Sequence, residues 1–228
     1  MLRVLDAFSG RGGASQAFVD RGHQVERFDI DPRFSEVPHT TIKDVKLLMD
    51  RTLGGYDIAL AGFPCQCFSQ LCNHITWPKG EPREQTREMI SFVREVREWL
   101  ERSKARYYII ENPMGMMRRP EVLGRPDAHV CWAAYHNDPE KPKKPTDLWG
   151  RLPPFDRYLP FNWVKAPRGS NLGIQNNKLS VEERSLWPYE FSLAVCLAVE
   201  GNSPQTTLYD HCVSMPAQTP EVCKKEVN

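Results

Sequence analysis

An α/β fold with a doubly wound, mostly parallel sheet is what this sequence predicts, on three observations. Short apolar runs alternate with helical stretches through the first half of the chain. The first run, "LRVLDAF" (2–8), ends in a glycine-rich turn, Gly10, Gly12 and Gly13, that opens a helix. Acidic or nucleophilic residues then stand at the ends of successive runs: Asp29 and Asp31, Asp44, Cys65 and Glu111. Strand–helix alternation argues a parallel sheet covered on both faces. Open sheets of that kind put their chemistry beyond the carboxyl ends of the strands.

Each element follows from its pattern. After the glycine turn a helical stretch runs to Gly22, and "QVERFDI" is the second strand. A further strand ends at Asp44, and "YDIALAG" (56–62) is the next. "TREMISFVREVREWLERS" (86–103) places Met89, Ile90, Val93, Val96 and Leu100 on one helical face, with arginines and glutamates opposite. "ARYYIIEN" (105–112) is a strand, and "HVCWAAY" (129–135) and "TDLWG" (146–150) are read as two more. Residues 153–177 read as loop carrying aromatic and basic side chains. A last helix is expected within 180–200, with Pro188 as a break or a start, followed by a polar tail.

Composition sets the bounds. The chain has 228 residues, 40% hydrophobic and 26% charged, enough for one good-sized domain. Neither a membrane span nor a signal peptide is read from it, which gives a cytoplasmic expectation. Seven cysteines at irregular spacing fit free thiols better than a disulfide framework. A net charge of +1 neither announces nor excludes nucleic acid.

The glycine turn reads as a nucleotide-cofactor loop or as a plain tight turn. Asp29, Asp31 and Asp44 each read alone as caps, and together as the outline of an adenosine site. Cys65, in "AGFPCQCFSQ", reads three ways. It is a buried small hydrophobe, a metal ligand with Cys67, Cys72 and His74, or a nucleophile with the Glu111 carboxyl beside it. The last pairing suits attack on an electron-poor ring, the acid protonating the ring as sulfur adds.

Taken together, the motifs resemble those of the cytosine-C5 DNA methyltransferases, and more closely the compact bacteriophage versions. "DAFSGRGGASQAF" is similar to the family's S-adenosylmethionine loop, "GFPCQCFS" to its Pro-Cys-Gln motif and "ENP" to its Glu-Asn-Val motif, in the family's order. The resemblance implies a Rossmann-like methyltransferase fold. It implies S-adenosyl-L-methionine as cofactor, held by Asp6, Phe8, Ser9, Gly10, Gly12, Gly13, Asp29, Ile30, Asp44, Val45 and Pro64. It makes Cys65 the nucleophile and Glu111 the base-protonating acid. "KKPTDLWG" resembles the basic motif, with Lys144 in place of the family's arginine. Double-stranded DNA is the implied partner, contacted by Gln66 and Ser69, with no membrane, no metal and a monomeric chain.

Two departures stand out. The Gly-Asn motif expected ahead of the last helix is missing, and about 30 residues (151–180) replace the usual target-recognition domain. The division is then a catalytic and cofactor-binding core (1–150), a short recognition segment (151–180), a closing helix (181–200) and a tail (201–228). Arg151, Lys165 and Arg168 are the candidate phosphate and groove contacts. An RNA cytosine-C5 methyltransferase, an inactive DNA-binding relative and transfer of a substituted methyl group are the alternatives left open.

Overall fold

The computed structural model describes residues 1–50, 54–135, 144–158 and 185–201. Seven strands form one sheet: β1 (Arg3–Ala7), β2 (Gln24–Asp29), β3 (Thr40–Ile42), β4 (Ile58–Gly62), β5 (Tyr107–Pro113), β6 (Ala128–Cys131) and β7 (Pro145–Arg151). Their order is β3-β2-β1-β4-β5-β7-β6. All adjacent pairs from β3 to β5 are parallel, while β7 runs antiparallel to both β5 and β6. The order reverses between β1 and β4, the switch point at which such sheets open a crevice.

Alternation along the buried strands feeds two cores. On one face Val4, Ile58, Leu60 and Ile109 meet Phe18 of α1 (Gln16–Asp20). On the other, Leu5, Ala59, Ala61 and Ile110 meet Ile90, Val93, Val96, Trp99 and Leu100. These last five belong to the amphipathic α3 (Glu84–Arg102), which follows the short α2 (Asn73–Thr76). The last helix, α4 (Tyr189–Glu200), is buried continuously from Phe191 to Val199, as an apolar helix must be.

Its few polar groups hold α4 in place. Ser192 Oγ donates to Ala14 O at 2.8 Å and accepts the Ala17 N–H at 3.2 Å, satisfying an orphan donor at the start of α1. At the other end Glu200 accepts two bonds from Arg21, at 2.9 and 2.8 Å, and one from His23 at 2.8 Å. The helix that closes the fold thus grips both ends of the helix that follows the glycine turn.

Two expectations are corrected and one open alternative is decided. "HVCWAAY" is not one strand: β6 ends at Cys131 and Trp132–Tyr135 forms a 3₁₀ turn. Three residues per turn bring Trp132 and Tyr135 to one side, where both rings pack on Phe191, whereas a strand would send them to opposite faces. Of the two readings of Pro188, the helix start holds: it is the N-cap of α4, which begins at Tyr189. The second correction is Arg151. β7 runs against its neighbour, so Arg151 pairs with Tyr108 near the amino end of β5. Its guanidinium donates to Ala105 O at 2.8 Å. A seven-residue strand is ~20 Å long, so Arg151 stands at the wrong edge to meet DNA with Cys65. Lys165, Arg168 and residues 159–184 and 202–228 lie outside the described residues.

Candidate active site

The parallel register brings the chemistry to one edge. Gly62, the last residue of β4, pairs with Glu111 on β5, and Cys65 follows three residues on. Lys144 immediately precedes β7, whose antiparallel course starts at that same edge. Lys144 Nζ lies 3.4 Å from Glu111 Oε1 and 5.8 Å from the centre of the Trp132 ring. Glu111 is 5% exposed.

The segment that carries Cys65 is pinned. Cys65–Cys67 is a turn of 3₁₀ helix, and Cys65 O accepts the N–H groups of Phe68 (3.0 Å) and Ser69 (2.8 Å). Asn112 donates its amide to Phe63 O at 3.0 Å, and the Trp77 indole donates to Cys67 O at 2.8 Å. Ser69 and Gly115 form an isolated antiparallel bridge, and Met116 N donates to Phe68 O at 2.7 Å. The approach at that bridge requires glycine, because a Cβ on Gly115 would sit 2.1 Å from Phe68 O. Ser69 is buried at this backbone contact, while Gln66 is exposed.

Burial raises the Cys65 thiol above its ordinary range; the Lys144 charge pulls it back down and the Glu111 carboxylate pushes it up. Lys144 thus stands against both groups, and its charge favours a thiolate on Cys65. The metal reading does not assemble: Cys65, Cys67, Cys72 and His74 include no three whose ligand atoms gather. Among the described residues only His23, Cys196 and Glu200 do, at the opposite edge. There Glu200 is taken by Arg21 and His23, and His23 Nδ1 accepts the Leu2 N–H at 3.2 Å.

The cofactor half lies across the switch point. Phe8 takes a left-handed φ of 63° and packs on Phe63 at 4.8 Å. The Asp29 carboxylate accepts the N–H of Gly10 at 2.8 Å and of Asp31 at 2.9 Å, keeping lone pairs for ligand hydroxyls. Asp44 caps the following turn through Lys46 N, and Asp31 caps its own through Arg33 N. Next to Asp29, Ile30 is 65% exposed, an apolar surface suited to a purine ring. Pro64 is also exposed. Two expected contacts point inward: Val45 is 2% and Asp6 1% exposed, so they support the walls.

Two features of this edge suit a ligand such as S-adenosylmethionine. Ser9 Oγ is buried with no partner among the described residues, and the space beside Gly10 is open. Where the Gly-Asn motif is missing, Leu186 and Trp187 lie against Gly13. Reasoning from sequence did not single out Arg27, Gly115 or Trp132, because none belongs to a local motif.

Sheet order, antiparallel β7 and edge define a Rossmann-like fold of the S-adenosylmethionine-dependent methyltransferase type. Residues 2–122 match the family model for C-5 cytosine-specific DNA methylases, more than half of the chain, and the chain belongs to that family. Among solved structures it is similar to the Entamoeba histolytica methyltransferase EhMeth, at 16% identity and a TM-score of 0.46, over 72% of this chain and 57% of that one. It is similar also to a protein described as a DNA modification methyltransferase encoded within an E. coli prophage (17%, TM-score 0.44, 73% and 53%). A third is the S. pombe Dnmt2 methyltransferase (16%, TM-score 0.40, 75% and 58%). The chain spans little more than half the length of these proteins. No curated protein sequence matches it. Among the described residues no helix is long and apolar enough to cross a membrane.

Proposed function

We propose that the protein methylates C5 of cytosine in double-stranded DNA, with S-adenosyl-L-methionine as methyl donor and Cys65 as covalent nucleophile. The observation that carries this reading is the convergence of Cys65, Glu111 and Lys144 at one sheet edge, the last two 3.4 Å apart. When bound, the cofactor supplies an electrophilic methyl group on a sulfonium.

The cytosine leaves the duplex stack to reach this edge, since C5 and C6 are inaccessible within it. Lys144 favours the thiolate of Cys65, which adds to C6 and forms the S–C6 bond. Glu111 holds a proton at N3 as the ring takes up charge, so that C5 becomes electron-rich and accepts the methyl group. Loss of the C5 proton to a base then restores the ring and expels Cys65, the S–C6 electron pair returning to sulfur. Asp29, Ser9, Gly10 and the apolar Ile30 are the groups offered to ribose, methionyl and adenine parts of the donor.

Residues 151–180 are few, and each good bidentate base contact discriminates by ~1–3 kcal/mol. A target of one to three base pairs follows, with Lys165 and Arg168 supplying phosphate contacts. Incubating the protein with methyl-labelled S-adenosylmethionine and either duplex DNA or tRNA, then analysing nucleosides by mass spectrometry, tests the reading. 5-Methylcytosine in DNA, absent with Cys65→Ala, is expected; label in RNA alone, or in no cytosine, would overturn it.

A further inference from the structure

The carboxyl edge of β1 holds a buried charge network that the reaction does not use. Arg27, on β2, is 1% exposed although it is an arginine in a strand. Its Nε donates to Ser15 Oγ at 2.8 Å, and Ser15 Oγ donates to Asp6 Oδ2 at 2.5 Å. One Nη donates to Gly12 O at 2.9 Å and to Gln16 Oε1 at 3.2 Å; the other donates to Pro38 O at 3.0 Å. The planar guanidinium therefore fills the space directly beneath the glycine turn and ties it to the loop between β2 and β3.

Gly10 and Gly12 consequently do different work. Both have left-handed φ, 50° and 76°. A Cβ on Gly10 would meet nothing within 4 Å, so that side is left for a ligand. A Cβ on Gly12 would sit 2.5 Å from Arg27 Cζ. Gly12 is a glycine because Arg27 lies under it.

We propose that Arg27 is a positioning residue for the cofactor, a clamp that holds the glycine turn from below in its ligand-accepting shape. This rests on the S-adenosylmethionine reading given above. The clamp draws the Gly12 carbonyl and the Ser15 hydroxyl inward. A carbonyl left free to swing outward would direct its negative end at the carboxylate of an amino-acid-bearing ligand. Lysine cannot replace this: one ammonium on a flexible stem does not span four acceptors set around a planar fork.

Calorimetric titration of S-adenosylmethionine into the wild-type chain and Arg27→Lys tests the clamp, with DNA affinity and ligand-free melting temperature measured on the same samples. Arg27→Lys is expected to weaken the cofactor by about tenfold or more, the loss of charge-assisted bonds, and to leave DNA affinity unchanged. Gly12→Ala is expected to add less loss to Arg27→Lys than to the wild type, since the shorter group relieves the contact. If Arg27→Lys does not fold, Asp6→Asn with Arg27→Met replaces the buried pair by neutral groups of similar volume, a change that folds often tolerate. That double variant should be folded and still bind the cofactor poorly. A folded Arg27→Lys or double variant that binds like the wild type would overturn the clamp alone. A wild-type chain that takes up no S-adenosylmethionine would overturn the cofactor reading beneath it.

Discussion

The two halves of the carboxyl edge are built on opposite plans. Beneath the cofactor half, Asp6, Ser15 and Arg27 are buried and spend their hydrogen bonds on each other and on the backbone of the glycine turn. In the catalytic half, Lys144 and Glu111 stand at the edge itself, and the main chain that carries Cys65 is held by the Asn112 amide, the Trp77 indole and the Ser69–Gly115 bridge. In the first, charges shape the main chain; in the second, the main chain aims the charges. Substitutions in the first half should therefore show in binding, and those in the second in rate.

Glu111→Gln breaks the catalytic half most directly. It keeps shape and burial but removes the proton that the proposed mechanism supplies to N3, so kcat should fall ~10²–10⁴-fold. Cofactor affinity should be unchanged by calorimetry; a loss of affinity instead would erase the contrast between the halves.

The cofactor half has its own signature in pH. Burial pushes the Asp6 carboxyl up from 3.8 to about 6, the Ser15 bond and the Arg27 charge opposing that shift. The folded protein then keeps a proton that the unfolded chain releases, so Asp6 makes stability fall as pH rises from about 4 to about 6, and level off above. The amount is on the order of 3 kcal/mol. Urea denaturation across that window should show this slope in the wild type and its loss in Asp6→Asn. An unchanged slope in Asp6→Asn would mean that Asp6 is charged throughout.

Gly115→Ala sharpens the comparison from the catalytic side. Its φ of 176° suits any residue, so the only cost is the approach to Phe68 O. Displacing Cys65 by a fraction of an ångström to an ångström should lower kcat ~10²-fold, with S-adenosylmethionine affinity intact. Full activity would show that the bridge does not aim the thiol. The smallest effect is expected at Asp29→Ala, which should weaken the cofactor by ~1–3 kcal/mol, read by calorimetry, with DNA affinity preserved.

Most of the fold, and the placement of the edge residues, was legible because local pattern carried it. Buried parallel strands read as apolar runs, and the glycine turn, Cys65 and Glu111 each end such a run. What was not legible depends on residues distant in sequence. Arg27 in "QVERFD" looks solvent-facing, and only the chain reversal that places Gly12, Ser15 and Asp6 around it makes it a core group. Gly115 looks like an ordinary turn glycine until Phe68 is laid across it. Arg151 was misplaced because composition marks a basic residue but not the direction of its strand. Trp132–Tyr135 was misread because an apolar aromatic run fits a strand and a 3₁₀ turn equally well.

The central claim is that Cys65, not its neighbour Cys67, attacks cytosine C6. Cys67 has its carbonyl tied to Trp77 and packs against the α3 core. DNA in which 5-fluorocytosine replaces cytosine tests this in one measurement, because a C5 fluorine cannot leave as a proton and the adduct is trapped. Peptide mapping by mass spectrometry, after reaction with S-adenosylmethionine, should find a methylated fluoropyrimidine on Cys65 and none in Cys65→Ala, while Cys67→Ala still forms it. An adduct on Cys67, or one that survives Cys65→Ala, would contradict the account.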